Sequence, residues 1–215
     1  MARKYLWIAA ALLASALLVG IGMGKSLAQE PPANTFKDPD EAARAWLEIF
    51  QQTVTESNYK ELGFESLEEA KQAQLGEPMA VRMLKMEQMR DYQEGVQIES
   101  LADEVGWMIY QVLVREQVRV ALELGRKDEL WAGTRFGSGN FVRLLERTRR
   151  AADDYVLAFP ALNQYFIASG KERELRLYPI LDDAELRWKA GEPLEPADAL
   201  ARMSKLAAQA DDLPR

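Results

Sequence analysis

The stretch Val105-Gly106-Trp107-Met108-Ile109-Tyr110-Gln111-Val112-Leu113-Val114-Arg115-Glu116-Gln117-Val118-Arg119-Val120-Ala121-Leu122-Glu123-Leu124 decides the fold class. It is the densest β-branched and aromatic run in the chain, with one polar break in the middle. Residues 105–114 are apolar at nearly every position, as in a strand covered on both faces. The second half alternates, with Val118, Val120, Leu122 and Leu124 on one side and Gln117, Arg119, Ala121 and Glu123 on the other. Arg115, Glu116 and Gln117 supply the turn. They include no Gly, Asn or Asp, so strand pairing and not turn chemistry must close the hairpin. The pattern specifies a β-hairpin at the centre of an antiparallel sheet.

Moving outward to the N-terminal side, Ser66-Leu67-Glu68-Glu69 has the capping-box spacing. It starts a short helix that ends before Gly76, and Gly76-Glu77-Pro78 marks a break. Residues 79–84 fit a strand and 85–92 a short helix. Further back, Asp38-Pro39-Asp40-Glu41 opens a longer helix, with Asp38 as N-cap, Pro39 at the first helical position and acids in the first turn. Ala42, Ala45, Trp46, Ile49, Phe50 and Val54 form its expected inward face. Residues 29–37, with Pro31 and Pro32, fit an extended linker.

On the C-terminal side, the glycine-rich residues 131–140 fit a loop that delivers the chain into a helix over about 140–151. Phe141, Leu144, Leu145 and Thr148 are its expected inward residues. Residues 155–159 form a strand stopped by Pro160. Residues 163–168 and 172–178 flank Ser169-Gly170-Lys171 as a second hairpin, with Leu175, Leu177 and Ile180 toward the core. Residues 185–189 fit an edge strand. Glu195-Pro196-Ala197-Asp198 begins a last helix with Leu200, Met203, Leu206 and Ala207 inward, and 211–215 form a frayed tail. The expected fold is therefore α+β: one domain over 38–210, with a single mostly antiparallel sheet of about five to seven strands. An N-terminal, a central and a C-terminal helix pack it.

The first residues address the chain. Arg3 and Lys4 precede an apolar run over 5–24, and Ser26-Leu27-Ala28 places small residues at the −3 and −1 positions before Gln29. These are the parts of a secretory signal peptide, with cleavage expected after Ala28 and a periplasmic or secreted product. The alternative is an inner-membrane anchor formed by residues 5–24. Gly20, Gly22, Gly24 and the Ser-Leu-Ala site favour cleavage, which would leave no stable membrane span. The chain of 215 residues carries a net charge of −7, and −10 once the three basic residues of 1–28 are removed. An acidic domain offers no general footprint for nucleic acid. The sequence contains no Cys and no His. That removes disulfides, lipid acylation of cysteine, Ser-His-Asp and Cys-His catalysis, and imidazole metal sites. Paired carboxylates, Ser-Lys pairs and oxygen-held metals remain.

Four groups of residues invite a functional reading. Met83, Met86 and Met89 are spaced i, i+3, i+6, so on a helix their thioethers would converge as Cu(I) ligands; filling an irregular core gap is the competing use. Arg135, Ser138 and Asn140 lie where a glycine-rich loop meets a helix N-terminus, a place for an anion. The P-loop ending and the Gly-x-Ser-x-Gly spacing are both missing there. Arg143, Arg147 and Arg150 share a helix face and suit an acidic partner, or simply a solvated surface. Aromatic residues of the hairpins (Trp107, Tyr110, Tyr165, Phe166, Tyr178) could line a groove or fill the core. Adjacent acids such as Asp153/Asp154 and Asp182/Asp183 earn no catalytic role from sequence, and no cofactor is implied.

Leu75-Gly76-Glu77-Pro78, followed by Met89-x-x-Tyr92 and the Val/Leu-rich hairpin, resembles a pattern of uncharacterised exported bacterial proteins. Those open with a helix and carry Leu-Gly-Glu-Pro ahead of Leu-x-x-Tyr. Here Met89 stands in place of the leucine. The resemblance covers about 50 residues and implies export without implying an activity. The expected function is an exported, non-enzymatic module that binds a small ligand or another envelope protein. Its alternatives are a carboxylate-dependent hydrolase of cell-envelope glycan and copper binding by methionine.

Overall fold

The computed structural model describes residues 34–209. The expected signal peptide or anchor, most of the linker and the 211–215 tail lie outside the described residues. Seven strands form one sheet: β1 Gln74–Met83, β2 Asp103–Val114, β3 Gln117–Lys127, β4 Leu130–Gly137, β5 Tyr155–Phe159, β6 Gln164–Ser169 and β7 Arg176–Pro179. Their order is β4-β3-β2-β1-β5-β6-β7. Only β1 and β5 are parallel, paired from Val81↔Val156 to Met83↔Ala158. The helices are α1 Pro39–Thr53, α2 Leu67–Lys71, α3 Met86–Arg90, α4 Ile98–Leu101, α5 Gly139–Thr148 and α6 Pro196–Gln209. This is the expected α+β architecture.

The hairpin of β2 and β3 is paired from Trp107↔Gly125 to Val114↔Gln117. Arg115 and Glu116 take φ of 50° and 65°, and Asp128 and Glu129 repeat this at the β3–β4 turn with 51° and 65°. Left-handed pairs match the twist of two-residue hairpins. Each side chain there costs roughly 1–2 kcal/mol relative to glycine, so the long ladders must hold both turns.

One face of the sheet is closed by α5, whose Val142 and Leu145 pack with Met79, Val81, Ile109, Ala121, Val156, Ala158 and Ile167. The opposite face is covered in two parts. Over β2, β3 and β4, α1 supplies Ala43, Leu47 and Phe50 against Tyr110, Val112, Leu122, Leu124 and Trp131. Over β5, β6 and β7, α3, α4 and α6 supply Met89, Ile98, Leu200 and Met203 against Leu157, Phe159, Phe166 and Leu177. The two parts share one side of the sheet, because Tyr110 stands opposite Pro78 and Leu157 opposite Arg82, on alternate residues of β1. The α1 helix starts as its sequence requires, with the Asp38 carboxylate accepting from the Glu41 amide at 2.9 Å. The Tyr110 hydroxyl donates to Asp40 Oδ1 at 2.6 Å and ties that helix to β2.

Several expectations need correction. Residues 131–140 are not a loop: β4 runs through Gly137 and α5 begins at Gly139. The glycines there serve close packing, since a side chain at Gly133 would collide with the Trp46 ring of α1. Gly76 and Pro78 do not break the chain but lie inside β1, at a register shift where β1 has no neighbour except β2. A proline is tolerated on such a free edge. Residues 185–189 form turns around an Asp183↔Trp188 bridge instead of an edge strand. In α1 the buried face is centred on Ala42, Ala43, Leu47 and Phe50, leaving Ala45, Trp46 and Ile49 half-buried. In α5 Val142 is buried and Phe141 and Leu144 are half-buried. The alternation in β3 holds only from Val120. Ala121 and Glu123, on the other side from Val120, Leu122 and Leu124, are buried on the α5 side at 0% and 4% exposure, and a register shift puts Val118 on that side with them instead of with Val120.

Candidate functional site

Between the two helical groups, a stretch of the middle strands has none of the described helices over it. A groove of about 350 Å³ lies there. Its floor is Pro78, Ala80 and Arg82 of β1 with Gly106 and Met108 of β2; Arg126 and Trp131 line it on one side, and residues 152–155 on the other. No residue of a helix lines it. The volume falls in the range of small-ligand sites, and apolar walls with a few polar groups are usual for them.

The local sequence builds this groove through a bulge. The register moves from Val81↔Trp107 to Arg82↔Glu104, so Val105 and Gly106 are extra residues in β2. Bulges re-aim side chains and recur beside functional sites. Here Val105 turns out to solvent, and Glu104 is brought to 2.8 Å from the Arg82 guanidinium. Gly106 has φ +59°, and a Cβ there would lie 2.8 Å from Arg126 Cβ. Glycine thus allows the Arg126 side chain to cross β2.

Both arginines are backed by rings. The Arg82 guanidinium carbon stands 4.6 Å from the Tyr155 ring centre, and that of Arg126 5.6 Å from the Trp131 ring centre. Each geometry is within cation–π reach. Burial pushes the Tyr155 phenol above its ordinary value, so it remains a neutral hydroxyl at neutral pH. The two cations differ in their partners. Arg82 has Glu104, whereas Arg126 makes no ion pair with any carboxylate among the described residues.

The acids of the groove are engaged in other ways. Asp153 faces Lys171 at 3.3 Å across an exposed surface. Asp154 is only 4% exposed, and its Oδ2 accepts from the Arg150 and Ala151 amides at 2.7 and 3.0 Å. Its Oδ1 is buried with no hydrogen-bond partner among the described residues.

The residues singled out from sequence mostly take structural positions. Arg135 pairs with Glu123 at 2.8 Å. Asn140 Oδ1 accepts from Arg143 at 2.5 Å, and Ser138 is exposed at the N-cap of α5 without a side-chain capping bond. These three do not converge on one point. Arg143 also donates to the Val118 carbonyl at 3.1 Å and, with Arg147, lines a shallow depression beside Arg119, Glu116 and Glu146. Arg150 leaves that stripe and stacks 5.1 Å from the Tyr178 ring centre. Met83 ends β1 and packs toward the α5 cluster, while Met86 and Met89 pack with the α3–α6 cluster. The helical spacing of the three thioethers is therefore interrupted by a change from strand to helix. Among the described residues no group of three acids converges as metal ligands.

Two residues that stand out in the structure were not singled out from sequence. Arg126 follows the quoted hairpin and stood out by neither spacing nor motif; the signal was its place two residues beyond the alternating run, opposite Gly106. Glu123 is the other. Its carboxyl is raised above the ordinary carboxylate value by burial, against the lowering effects of Arg135 and a hydrogen bond from Trp107. Comparison with protein-family models, curated proteins and solved structures finds no match to this chain.

Proposed function

We propose that the chain is an exported, non-enzymatic module that binds a small ligand or the tip of a partner in the groove over β1 and β2. The observation that carries this is the aromatic-backed Arg126, which has no carboxylate partner, beside an uncovered apolar floor of Pro78, Ala80 and Met108. A buried aromatic beside a guanidinium is the commonest composition of a binding hot spot. The prior engagement of Glu104, Asp153 and Asp154 supports binding over glycan hydrolysis, which needs two carboxylates free to flank a scissile bond. Export, with cleavage after Ala28, rests on the basic, apolar and small-x-small order of the first 28 residues.

The test is native mass spectrometry on protein recovered from the envelope fraction of its own cell. The expected result is a chain beginning at Gln29 that carries added mass, with that mass lost in Ala80→Tyr, which fills the floor of the groove. Ala80 is exposed on β1, so the substitution should alter stability by no more than about 0.5 kcal/mol. Added mass that survives Ala80→Tyr would move the site elsewhere. A full-length mass would replace the exported product with an anchored one.

A further inference from the structure

The charges that line the groove are unequally satisfied. Arg82 has Glu104 at 2.8 Å, and Asp153 has Lys171 at 3.3 Å. Asp154 holds one carboxylate oxygen on two backbone amides and keeps the other out of contact with solvent, so it offers nothing to a ligand. Beside it the Arg149 guanidinium donates to the Ala151 carbonyl at 3.0 Å and to that of Ala152, which brings a positive charge to the same wall. Arg126 has no carboxylate partner among the described residues. What the groove leaves over is one positive charge.

This guanidinium is held in place before anything binds. Its stem has room because Gly106, at φ +59°, carries no Cβ to meet Arg126 Cβ at 2.8 Å. The ring behind it, Trp131, is 9% exposed and fixed by two backbone hydrogen bonds with Phe36, at 2.9 and 2.6 Å. A merely solvated arginine needs neither the gap nor the ring. Ordering the side chain in advance spares a ligand that entropy, and the planar fork then offers a carboxylate two parallel hydrogen bonds. Next to it lies the apolar floor of Pro78, Ala80 and Met108, which no described helix lines. A methionine in that floor adapts to apolar bodies of more than one shape.

We infer that the groove binds a small monocarboxylate with an apolar body, its carboxylate on the Arg126 fork and its body over Pro78, Ala80 and Met108. This inference rests on the groove being the binding site. A neutral apolar molecule would take water from Arg126 and give it no acceptor in return. A dianion would bring one negative charge too many beside Glu104 and Asp153. Selection is by a single negative charge next to an apolar surface.

Titration calorimetry on the whole chain with octanoate, octanamide, octyl phosphate and acetate separates these features. Octanoate should bind. Octanamide keeps the body without the charge and acetate the charge without the body, and each should bind about tenfold more weakly or worse. Octyl phosphate should bind no more tightly than octanoate. Arg126→Gln, at an exposed position, should bring octanoate down to the level of octanamide, and Ala80→Tyr should abolish both. Equal binding of octanoate and octanamide to the wild type overturns the carboxylate assignment and leaves the groove as a site, as does tighter binding of octyl phosphate. Octanoate binding that Arg126→Gln leaves unchanged overturns it too, because the carboxylate then sits elsewhere. If octanoate does not bind while protein from the envelope carries an added mass that Ala80→Tyr removes, the assignment falls and the groove stands. If there is no such mass either, both fall.

Discussion

The two faces of β1 and β2 are made from alternate residues of the same strands and have opposite fates. Met79, Val81 and Ile109 point to α5 and are at most 3% exposed. Pro78, Ala80, Arg82 and Met108 point the other way and stay partly open, because α1 covers only the β2–β4 side and α3 with α6 only the β5–β7 side. Over these residues the first face is closed core, while the second carries rings, guanidinium groups and a bulge. A sheet wider than its helical cover can thus leave a groove at its centre instead of at a strand end.

The largest effect should come from cutting into the closed face. Ile109→Ala removes a fully buried side chain beneath α5 and should destabilise by about 3 kcal/mol in urea unfolding, while Met108→Ala, one residue on, should cost about 1 kcal/mol or less. Equal losses would mean that the groove floor is a sealed core. Next comes Gly106→Ala. Its φ of +59° penalises a side chain by about 1–2 kcal/mol, and the added methyl displaces Arg126. Loss of ligand affinity should therefore accompany the fall in urea midpoint; loss of stability alone would detach Arg126 from the site.

The smallest effect concerns Glu123 on the closed side. Burial raises its carboxyl above the ordinary value, so the folded protein binds this proton more readily than the unfolded chain does. Its contribution is then complete below the unfolded carboxylate value of about 4.3 and is lost as pH rises through the raised folded value. Glu123→Gln stays neutral throughout. Its urea midpoint relative to the wild type should therefore improve between about pH 4 and about pH 7. A relative midpoint that instead falls as pH rises would show that the Arg135 pair, and not burial, governs this carboxyl.

The central hairpin, β5, β6, the three principal helices and the α+β class were legible because each leaves a period or a cap. Asp38, Ser66 and the shared side of Val120, Leu122 and Leu124 needed no tertiary information, whereas Val118 falls on the α5 side across a register shift. What failed did so for tertiary reasons. Gly133 reads as a loop residue until Trp46 lies over it, and the burial of Glu123 leaves no mark in the sequence until α5 covers that face. Arg126 and Asp154 line the groove only because β1 lies between β2 and β5, a neighbour relation that spans 75 residues. The arginine stripe had the opposite fault. Arg143, Arg147 and Arg150 have ideal helical spacing, yet α5 ends at Thr148, so Arg150 lies beyond it.

The single parallel pairing also has a kinetic consequence. β1 to β4 and β5 to β7 are each a succession of sequence neighbours, and local contacts of this kind form quickly. Among the described strands the two meanders are paired where Val81, Arg82 and Met83 find Val156, Leu157 and Ala158, at a separation of 75 residues. Closing so long a loop is the slow, entropically costly event, and this seam is the last join to form and the first to part. The groove lies across it, with its floor on β1 and β2 and Tyr155 of β5 on the far side, so an occupant of the proposed site should act as a clasp that slows unfolding.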